Sequence, residues 1–397
     1  MAELLSIEDA LARILDRAQP LPPETVPLDV AAGRVLAEQA LAAVDLPPFA
    51  SSAMDGFAVR VADVPGTLPV VARVAAGRPA VEPLEPGAAA GIATGGAVPE
   101  GADAVVPIEL VSEVDGQVEI GEPVRPGAHI RPRGGDVRVG EVVVEAGVRL
   151  APTHVGALAA AGVAQVRCAR RPRVAVLATG SELRAPGETL APGQIFESNR
   201  TMVAAVVAAE GAQVEVLPVV VDEEHAHREA LERGLDSDVL VTSGGVSVGP
   251  HDLVRRIAAE LGVEEVFWGV AVKPGKPLSF GVRGSTLVFG LPGNPVSALV
   301  GSLLFLRPAL LALQGLADAG PPFEWGETLT ALHRNPHRDV FVRARRRLDG
   351  ARTLLEPVSG QESHMIVRAA SADALVHVPR GEVEIASGEQ VRYLALA

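Results

Sequence analysis

Cysteine and aromatic residues are scarce in this chain of 397 residues. Cys168 is the only cysteine, which excludes a disulfide within the chain and any zinc or iron–sulfur site built from cysteines. It lies between Arg167 and Arg170 in a segment that we interpret as an interdomain connector, and we expect no reactivity from it. Aromatic residues make up 3 % of the sequence and no basic run occurs, which argues against nucleic-acid binding.

Lysine is also scarce. Of the 35 lysines and arginines, only Lys273 and Lys276 are lysines, and they stand three positions apart. Where arginine is the usual cation, a close lysine pair indicates a need for the compact ammonium group. The pair is therefore a candidate anion-binding site, and two solvated surface charges are the alternative.

The charge balance and the apolar pattern bear on the location of the protein. The 49 acidic residues give a formal net charge of −14, and an acidic surface repels anionic lipid. The longest apolar run, 296–306, is shorter than the ~20 residues that a membrane span needs. The first residues lack the basic segment of a signal peptide and instead predict a helix capped by Ser6. We expect a cytoplasmic protein without membrane or nucleic-acid contacts.

Four blocks of different pattern follow one another along the chain. The share of hydrophobic residues, 48 %, indicates a globular protein, and ~100–200 residues per domain predicts two to four domains. Residues 1–46 contain the opening helix and an extended segment, and the apolar stretch 138–168 would pair with them. Short valine-rich runs among glycines and prolines at 47–137 indicate a small β-rich domain. After Pro321 and Pro322, further short runs predict a β-barrel or sandwich.

The block from 172 to 318 alternates strand-like and helix-like runs. This alternation is typical of βαβ units and predicts a doubly wound parallel sheet. The predicted strands are Arg173–Ala178, Val214–Val220, Asp238–Thr242, Glu265–Val272 and Thr286–Phe289. The predicted helices are Asn199–Glu210, Glu223–Arg233, Leu253–Leu261 and Val296–Leu313. His225 and His227 fall on a helix face that we expect to be solvated.

Chemically versatile residues follow each predicted strand. Ligands of open α/β sheets bind outside the carboxyl ends of the strands, so these residues predict one binding site. In chain order they are Thr179, Gly180, Ser181 and Glu182; Asp222; Ser243, Gly244, Gly245, Ser247 and Asp252; Lys273 and Lys276; and Pro292, Gly293, Asn294 and Pro295.

Each group has a chemical role and a plainer alternative. The glycine loop 243–249 offers backbone N–H groups to an anion before a helix, or it is a tight turn. Glu182, Asp222 and Asp252 together suit Mg²⁺, although Asp222 and Asp252 could instead cap helices. Neither the Walker A spacing nor the dinucleotide G-x-G-x-x-G spacing is present.

Seven segments in a fixed order carry a family resemblance. The sequence resembles the MoeA-type molybdopterin molybdenumtransferases, the family that includes the C-terminal domain of gephyrin. The segments are SAMDGFAV at 52–59, IATGGAVPEGADAVV at 92–106, IRPRGGDV at 130–137, ATGSEL at 178–183, TSGGVSVGPHD at 242–252, VKPGKPLSFG at 272–281 and LPGNPVSA at 291–298.

The resemblance implies a multidomain α/β fold. An elongated helical–β domain would comprise 1–46 and 138–171, with an inserted β-rich domain at 47–137. A doubly wound molybdopterin-binding domain at 172–318 and a C-terminal β-barrel at 319–397 would follow. The resemblance also implies a homodimer in which catalytic residues of the β-rich domain reach the partner's active site. These residues are Asp55, Thr94 and Asp136.

The reaction implied by the resemblance is insertion of molybdate into adenylylated molybdopterin, with Mg²⁺-dependent pyrophosphate cleavage and release of AMP. Glu182 and Asp252 would bind the metal, Asp222 would order substrate or metal, and Lys273 and Lys276 would meet molybdate or phosphate. The strand-end loops at 179–181, 243–247 and 292–295 would bind the pterin and nucleotide.

Pathway partners would be the molybdopterin-adenylylating enzyme and molybdoenzyme acceptors. Two other functions remain open at the level of sequence. The adenylyltransferase of the same pathway resembles the α/β block alone, and a non-catalytic, gephyrin-like scaffold would need only the fold.

Overall fold

The computed structural model describes residues 4–245 and 253–396. Within this range the chain divides into two units, one comprising the chain up to Glu24 and from Cys168 onward, the other Thr25–Arg167. Helix α1 (Ile7–Arg17) belongs to the first unit. It begins where the sequence predicts, because the Ser6 hydroxyl accepts a hydrogen bond from the Asp9 N–H at 3.0 Å. Its buried residues Ile7 and Ile14 join the main apolar core of that unit.

The unit Thr25–Arg167 is rich in short strands. A six-stranded sheet in the order β7-β4-β6-β5-β9-β8 forms its centre, and all neighbours are antiparallel except β5 and β6. The chain elements are β1 (Pro23–Pro27), β2 (Ala40–Leu41), β3 (Ser51–Ser52), β4 (Gly56–Val59), β5 (Gly66–Val74), β6 (Ala89–Ile92), β7 (Ala104–Pro107), β8 (Val111–Val114), β9 (Gln117–Ile120), β10 (Ile130–Arg131), β11 (Val142–Val144), α2 (Pro152–Ala160) and β12 (Gln165–Ala169), with 3₁₀ turns at Leu28–Val30, Val61–Asp63 and Ile108–Leu110.

Three short strand pairs are separate from that sheet: β1 pairs with β12, β2 with β11, and β3 with β10. At the start of β4 the backbone approaches β7 closely, because a Cβ atom on Gly56 would lie 2.0 Å from the carbonyl oxygen of Val106. Only glycine fits this position.

The central α/β sheet carries six strands. Its order is β16-β13-β17-β21-β20-β18, and the first four are parallel. β20 is antiparallel to both of its neighbours, so β18 points the same way as β21. The elements are β13 (Arg173–Ala178), β14 (Leu183–Arg184), β15 (Ile195–Phe196), α3 (Asn199–Ala209), β16 (Gln213–Val216), α4 (Glu224–Gly234), β17 (Val239–Ser243), α5 (Leu253–Glu260), β18 (Glu264–Trp268), β19 (Val272–Lys273), β20 (Ser279–Arg283) and β21 (Thr286–Leu291).

Alternate residues of the buried strands face opposite sides of this sheet. Val174 and Val176 of β13 join the core that includes α1 and α3, whereas Ala175 and Leu177 join the core that includes α4 and α5. Helices therefore cover both faces, and the predicted doubly wound α/β fold is confirmed. The predicted parallel arrangement holds for the first four strands, and β20, which was not predicted as a strand, adds antiparallel pairing at the other end of the sheet.

A salt bridge fixes the amino-terminal edge of the sheet. Asp238 accepts hydrogen bonds from both terminal nitrogens of Arg170, at 2.6 and 2.7 Å, and from the Arg173 N–H at 2.8 Å. Burial raises the pKa of Asp238, but these donors outweigh burial and hold the pKa below its ordinary value.

The helix that contains the apolar run 296–306 is longer than that run, and it reaches the length that a membrane span needs. α6 (Pro295–Gly301), a π-helical segment (Ser302–Leu306) and α7 (Arg307–Leu313) form one continuous helix of 19 residues, long and apolar enough to cross a membrane. However, 78 % of its most apolar 18-residue stretch is buried inside the unit. It is placed as the core helix of a soluble protein would be.

The C-terminal strands close into a barrel. Five strands pair in the order β23-β24-β22-β26-β25, and β25 pairs back to β23. The elements are β22 (Phe323–Thr328), β23 (Asp339–Asp349), β24 (Arg352–Pro357), α8 (Ile366–Ala369), β25 (Ala374–Val378) and β26 (Gln390–Ala395). Phe341, Leu375 and Leu394 of the barrel belong to the same apolar core as the α/β sheet. The sequence predicts either a β-barrel or a sandwich for this part of the chain, and the structure shows the barrel.

Candidate active site

A cavity of about 890 Å³ opens at the carboxyl ends of the parallel strands. Residues that follow β13, β16, β17 and β21 line this one cavity, at the strand ends where the sequence predicts a binding site. From the predicted set these are Thr179, Gly180, Glu182, Asp222, Ser243, Gly244, Gly245, Gly293, Asn294 and Pro295. Ser247 and Asp252 lie outside the described residues.

The side chain of Asn199 joins two of the cavity loops. Its Nδ2 donates to the Ser243 hydroxyl at 2.8 Å and to the carbonyl oxygen of Gly293 at 2.7 Å. The residue is 8 % exposed, and its Oδ1 has no hydrogen-bond partner among the described residues. Asn199 therefore fixes the end of β17 against the loop that follows β21.

A reciprocal pair of hydrogen bonds joins the other two loops. The Ser181 N–H donates to Asp222 Oδ2 at 3.1 Å, and the Asp222 N–H donates to the Ser181 hydroxyl at 3.0 Å. Ser181 thus supports the cavity without lining it, and Asp222 is one of the lining residues. Gly244 lies against Thr179: its φ is +92°, and a Cβ there would lie 2.8 Å from the Thr179 carbonyl oxygen.

The lysine pair lies in a second cavity of about 480 Å³. Lys273, Lys276, Ser297, Arg338 and Ser363 line it, and Asn294 lines both cavities. The sequence predicts one site that contains both the lysines and the carboxylates. In the structure they line two adjacent cavities. The reason is β20, which lies between β18 and β21 and leaves these two strands two spacings, about 10 Å, apart. Lys273 itself pairs with Val340 of the barrel, through β19 and β23.

The cavity walls include residues that the sequence did not single out. Glu197, at 2 % exposed, and His227, also at 2 % exposed, line the large cavity. His227 is buried rather than solvated, because its Nδ1 lies 2.9 Å from the Glu223 carbonyl oxygen. His364 and Ile366 reach the same cavity from the segment before and at the start of α8. No local pattern identifies them, since their neighbours in space are distant in sequence.

The carboxylates of the large cavity suit a divalent metal only in part. Among the described residues, no group of three or more His, Cys, Asp or Glu is arranged to hold an ion. Glu182 and Asp222 nevertheless line one cavity, and Mg²⁺ commonly binds one or two carboxylates together with substrate phosphates. These two residues fit such an ion, whereas the predicted ligand Asp252 is outside the described part of the chain.

Asp55 and Thr94 meet within the β-rich unit. Asp55 Oδ1 accepts from the Thr94 N–H at 2.7 Å and from its hydroxyl at 3.1 Å. The backbone N–H of Asp136 donates to the Leu46 carbonyl oxygen at 2.9 Å. These contacts fix the conformations of two of the turns that carry the predicted catalytic residues of this unit.

The fold and the cavity define a class of protein: an α/β domain with a ligand site at its strand ends, joined to a β-barrel and to a β-rich unit. Three family models cover the chain, MoeA N-terminal region (domain I and II) at 5–162, "Probable molybdopterin binding domain" at 175–312, and MoeA C-terminal region (domain IV) at 326–396. The chain belongs to the MoeA family.

Individual relatives resemble it over most of its length. Molybdopterin molybdenumtransferase 2 of Mycobacterium tuberculosis is 39 % identical over 386 residues, 93 % of this chain and 94 % of that protein. The molybdopterin molybdenumtransferase of Haemophilus influenzae is 38 % identical over 79 % of this chain and 78 % of its own. The crystal structure of a molybdopterin biosynthesis MoeA protein from Pyrococcus horikoshii matches with a TM-score of 0.84 at 31 % identity, and both chains are covered completely.

Proposed function

We propose that this chain is a molybdopterin molybdenumtransferase that inserts molybdenum into adenylylated molybdopterin and releases AMP. The observation that carries the proposal is the pair of adjacent cavities. One presents carboxylates and glycine loops, and the other presents Lys273, Lys276 and Arg338. A substrate with a pyrophosphate group and a separate oxyanion substrate need these two kinds of environment side by side.

The large cavity suits the adenylylated pterin. Its glycine loops after β13, β17 and β21 bring backbone close to a ligand without side-chain obstruction. Glu182 and Asp222, with Asp252, would hold Mg²⁺, which when bound neutralises charge on the pyrophosphate. Asn199 and Ser181 keep the loops in place, so the site is organised before substrate arrives.

The lysine cavity suits molybdate. Three basic residues line it, Lys273, Lys276 and Arg338, together with Ser297, Ser363 and one acidic residue, Glu362. Charge-assisted hydrogen bonds from such groups are the strongest that a protein offers to an oxyanion. Asn294 lines both cavities, so an oxyanion here would lie next to the pterin site.

The test is an assay with purified protein, adenylylated molybdopterin, Mg²⁺ and molybdate. We expect molybdate-stimulated AMP release and formation of active cofactor. Asp222→Asn should slow AMP release, whereas Gln213→Ala, an exposed change on the same sheet, should not. AMP release that is indifferent to molybdate would contradict the proposal. Consumption of ATP with unmodified molybdopterin would instead indicate the adenylyltransferase, and neither activity would indicate a scaffold.

We further propose a cytoplasmic homodimer in which Asp55, Thr94 and Asp136 of one subunit complete the large cavity of the other. The Asp55–Thr94 contact supports this, because it holds the Asp55 carboxylate in a defined position. Mixing two inactive variants, Asp55→Asn and Glu182→Gln, should restore partial activity in mixed dimers. No recovery after subunit exchange would refute shared sites.

A further inference from the structure

One segment of the barrel reaches both cavities. This strap, defined as residues 360–366, connects β24 to α8. His364 and Ile366 line the large cavity, and Gln361, Glu362 and Ser363 line the lysine cavity. The Ser363 carbonyl oxygen also accepts a hydrogen bond from the Val296 N–H at 3.0 Å, which fixes the strap to the start of α6.

A buried arginine holds the strap. Arg343 on β23 is 1 % exposed, and its guanidinium donates to the carbonyl oxygens of Met365 and Gly360 at 2.6 Å each and of Glu362 at 3.2 Å. The Gln361 side chain adds a hydrogen bond to the Arg343 carbonyl oxygen at 2.9 Å. Burial lowers the pKa of Arg343, and the surrounding carbonyl oxygens satisfy its charge. The planar guanidinium donates to these carbonyls from two nitrogens held in a rigid fork, whereas a lysine would have to reach them from one nitrogen.

The described residues that line the large cavity supply no fixed positive charge. Among the described residues that line it are the carboxylates Glu182, Glu197 and Asp222 but neither a lysine nor an arginine. Of its two histidines, His227 is buried with Nδ1 against a backbone carbonyl, whereas His364 is exposed. His364 and Asn294 are thus the exposed side chains on this wall with an N–H that they can donate to an anionic ligand, and of the two side-chain types only an imidazole can also carry positive charge.

We propose that His364 contacts a phosphate oxygen of the ligand in the large cavity and that Arg343 is a positioning residue for it. The inference rests on the proposed function, which supplies a phosphate ester as the ligand. It gives the barrel a part in substrate binding, because the strap is the only barrel segment among the described residues that lines this cavity.

The first experiment measures AMP binding to the full chain by calorimetry in the presence of Mg²⁺. His364→Ala should weaken binding about tenfold or more, because hydrogen bonds to charged groups are lost. His364→Gln keeps an N–H donor and should recover part of the affinity. Equal AMP affinity of wild type and His364→Ala, with molybdate-dependent AMP release intact in wild type, overturns the inference alone. A wild type that neither binds nor releases AMP overturns the proposed function as well.

The second experiment tests Arg343 through a double-mutant cycle. Arg343→Lys keeps the charge but loses carbonyl contacts, so it should weaken AMP binding with an unchanged circular dichroism spectrum. Combined with His364→Ala it should add little, since it acts through that residue. Arg345→Lys is the matched control: Arg345 lies on the same strand and donates to Ser371 instead. Additive effects of the two changes, or equal losses at Arg345, overturn the positioning role.

Discussion

Replacing Asn199 tests whether the large cavity depends on a single amide. Asn199→Ala removes donors from the Ser243 hydroxyl and from the Gly293 carbonyl oxygen, which lie 2.8 and 2.7 Å from Nδ2. Each buried group left unpaired costs about 1–3 kcal/mol. We therefore expect a loss of about 2–4 kcal/mol in the free energy of unfolding of the α/β domain. Asn199→Asp should cost more, because a carboxylate oxygen would then face the Gly293 carbonyl.

The assay uses tryptophan fluorescence during urea unfolding. Trp268 lies in β18 of the α/β sheet and Trp325 in β22 of the barrel, so a Trp325→Phe background leaves a reporter on the relevant domain. The midpoint and slope of the transition give the change in free energy. The same variants should lose AMP release, because the Gly293 loop would no longer be fixed against β17.

The control is Gln213→Ala, which removes an exposed amide from the same sheet and should change stability by about 0.5 kcal/mol or less. If Asn199→Ala behaved like this control, the two hydrogen bonds would contribute nothing measurable. If Asn199→Asp were as stable as wild type, the assigned orientation of the amide would be wrong.

Three further changes have distinct expected outcomes. Gly56→Ala should destabilise the β-rich unit by about 3 kcal/mol, because its Cβ would lie 2.0 Å from the Val106 carbonyl oxygen. Hydrogen exchange of the backbone amides in β4 and β7 should then be faster. Unchanged exchange would show that the two strands can move apart without cost. Because the pKa of Asp238 is lowered in the folded state, this carboxylate stabilises the fold above pH 3.8, and that stabilisation is lost as the pH falls below this value. In Asp238→Asn the free energy of unfolding should therefore depend less on pH in this range. An unaltered pH dependence would show that the Arg170–Asp238 pair does not contribute to acid unfolding. Lys276→Arg should raise the KM for molybdate about tenfold, equivalent to about 1.4 kcal/mol, although charge is kept; wild-type kinetics would show that charge alone suffices.

Local pattern determined most of the fold correctly. Arg173–Ala178 is a strand with the predicted bounds, because a continuous apolar run with β-branched residues has few alternatives. The predicted run Val214–Val220 ends early, at Val216. Ser279–Arg283 was missed as a strand, because it follows a proline- and glycine-rich turn and its partner strands are fixed only by the assembled sheet.

The site was predictable where it depended on strand ends alone. Thr179 and Ser243 share a cavity because parallel strands end on one edge, which the sequence already implies. The separation of Lys276 from Glu182 depends on β20, so it required the sheet order. Asn199 and His364 could not be predicted, because their contacts join segments far apart in the chain and no motif surrounds them.

The shared core of the α/β domain and the barrel sets the order in which the chain can mature during synthesis. Ile14 of α1 emerges from the ribosome first, yet it belongs to the same core as Leu394 of β26. Two apolar clusters of the β-rich unit, by contrast, consist of described residues between Phe57 and Ile130. That unit can fold while translation continues, whereas its neighbour must keep its early segments from aggregating until the last strand has been made.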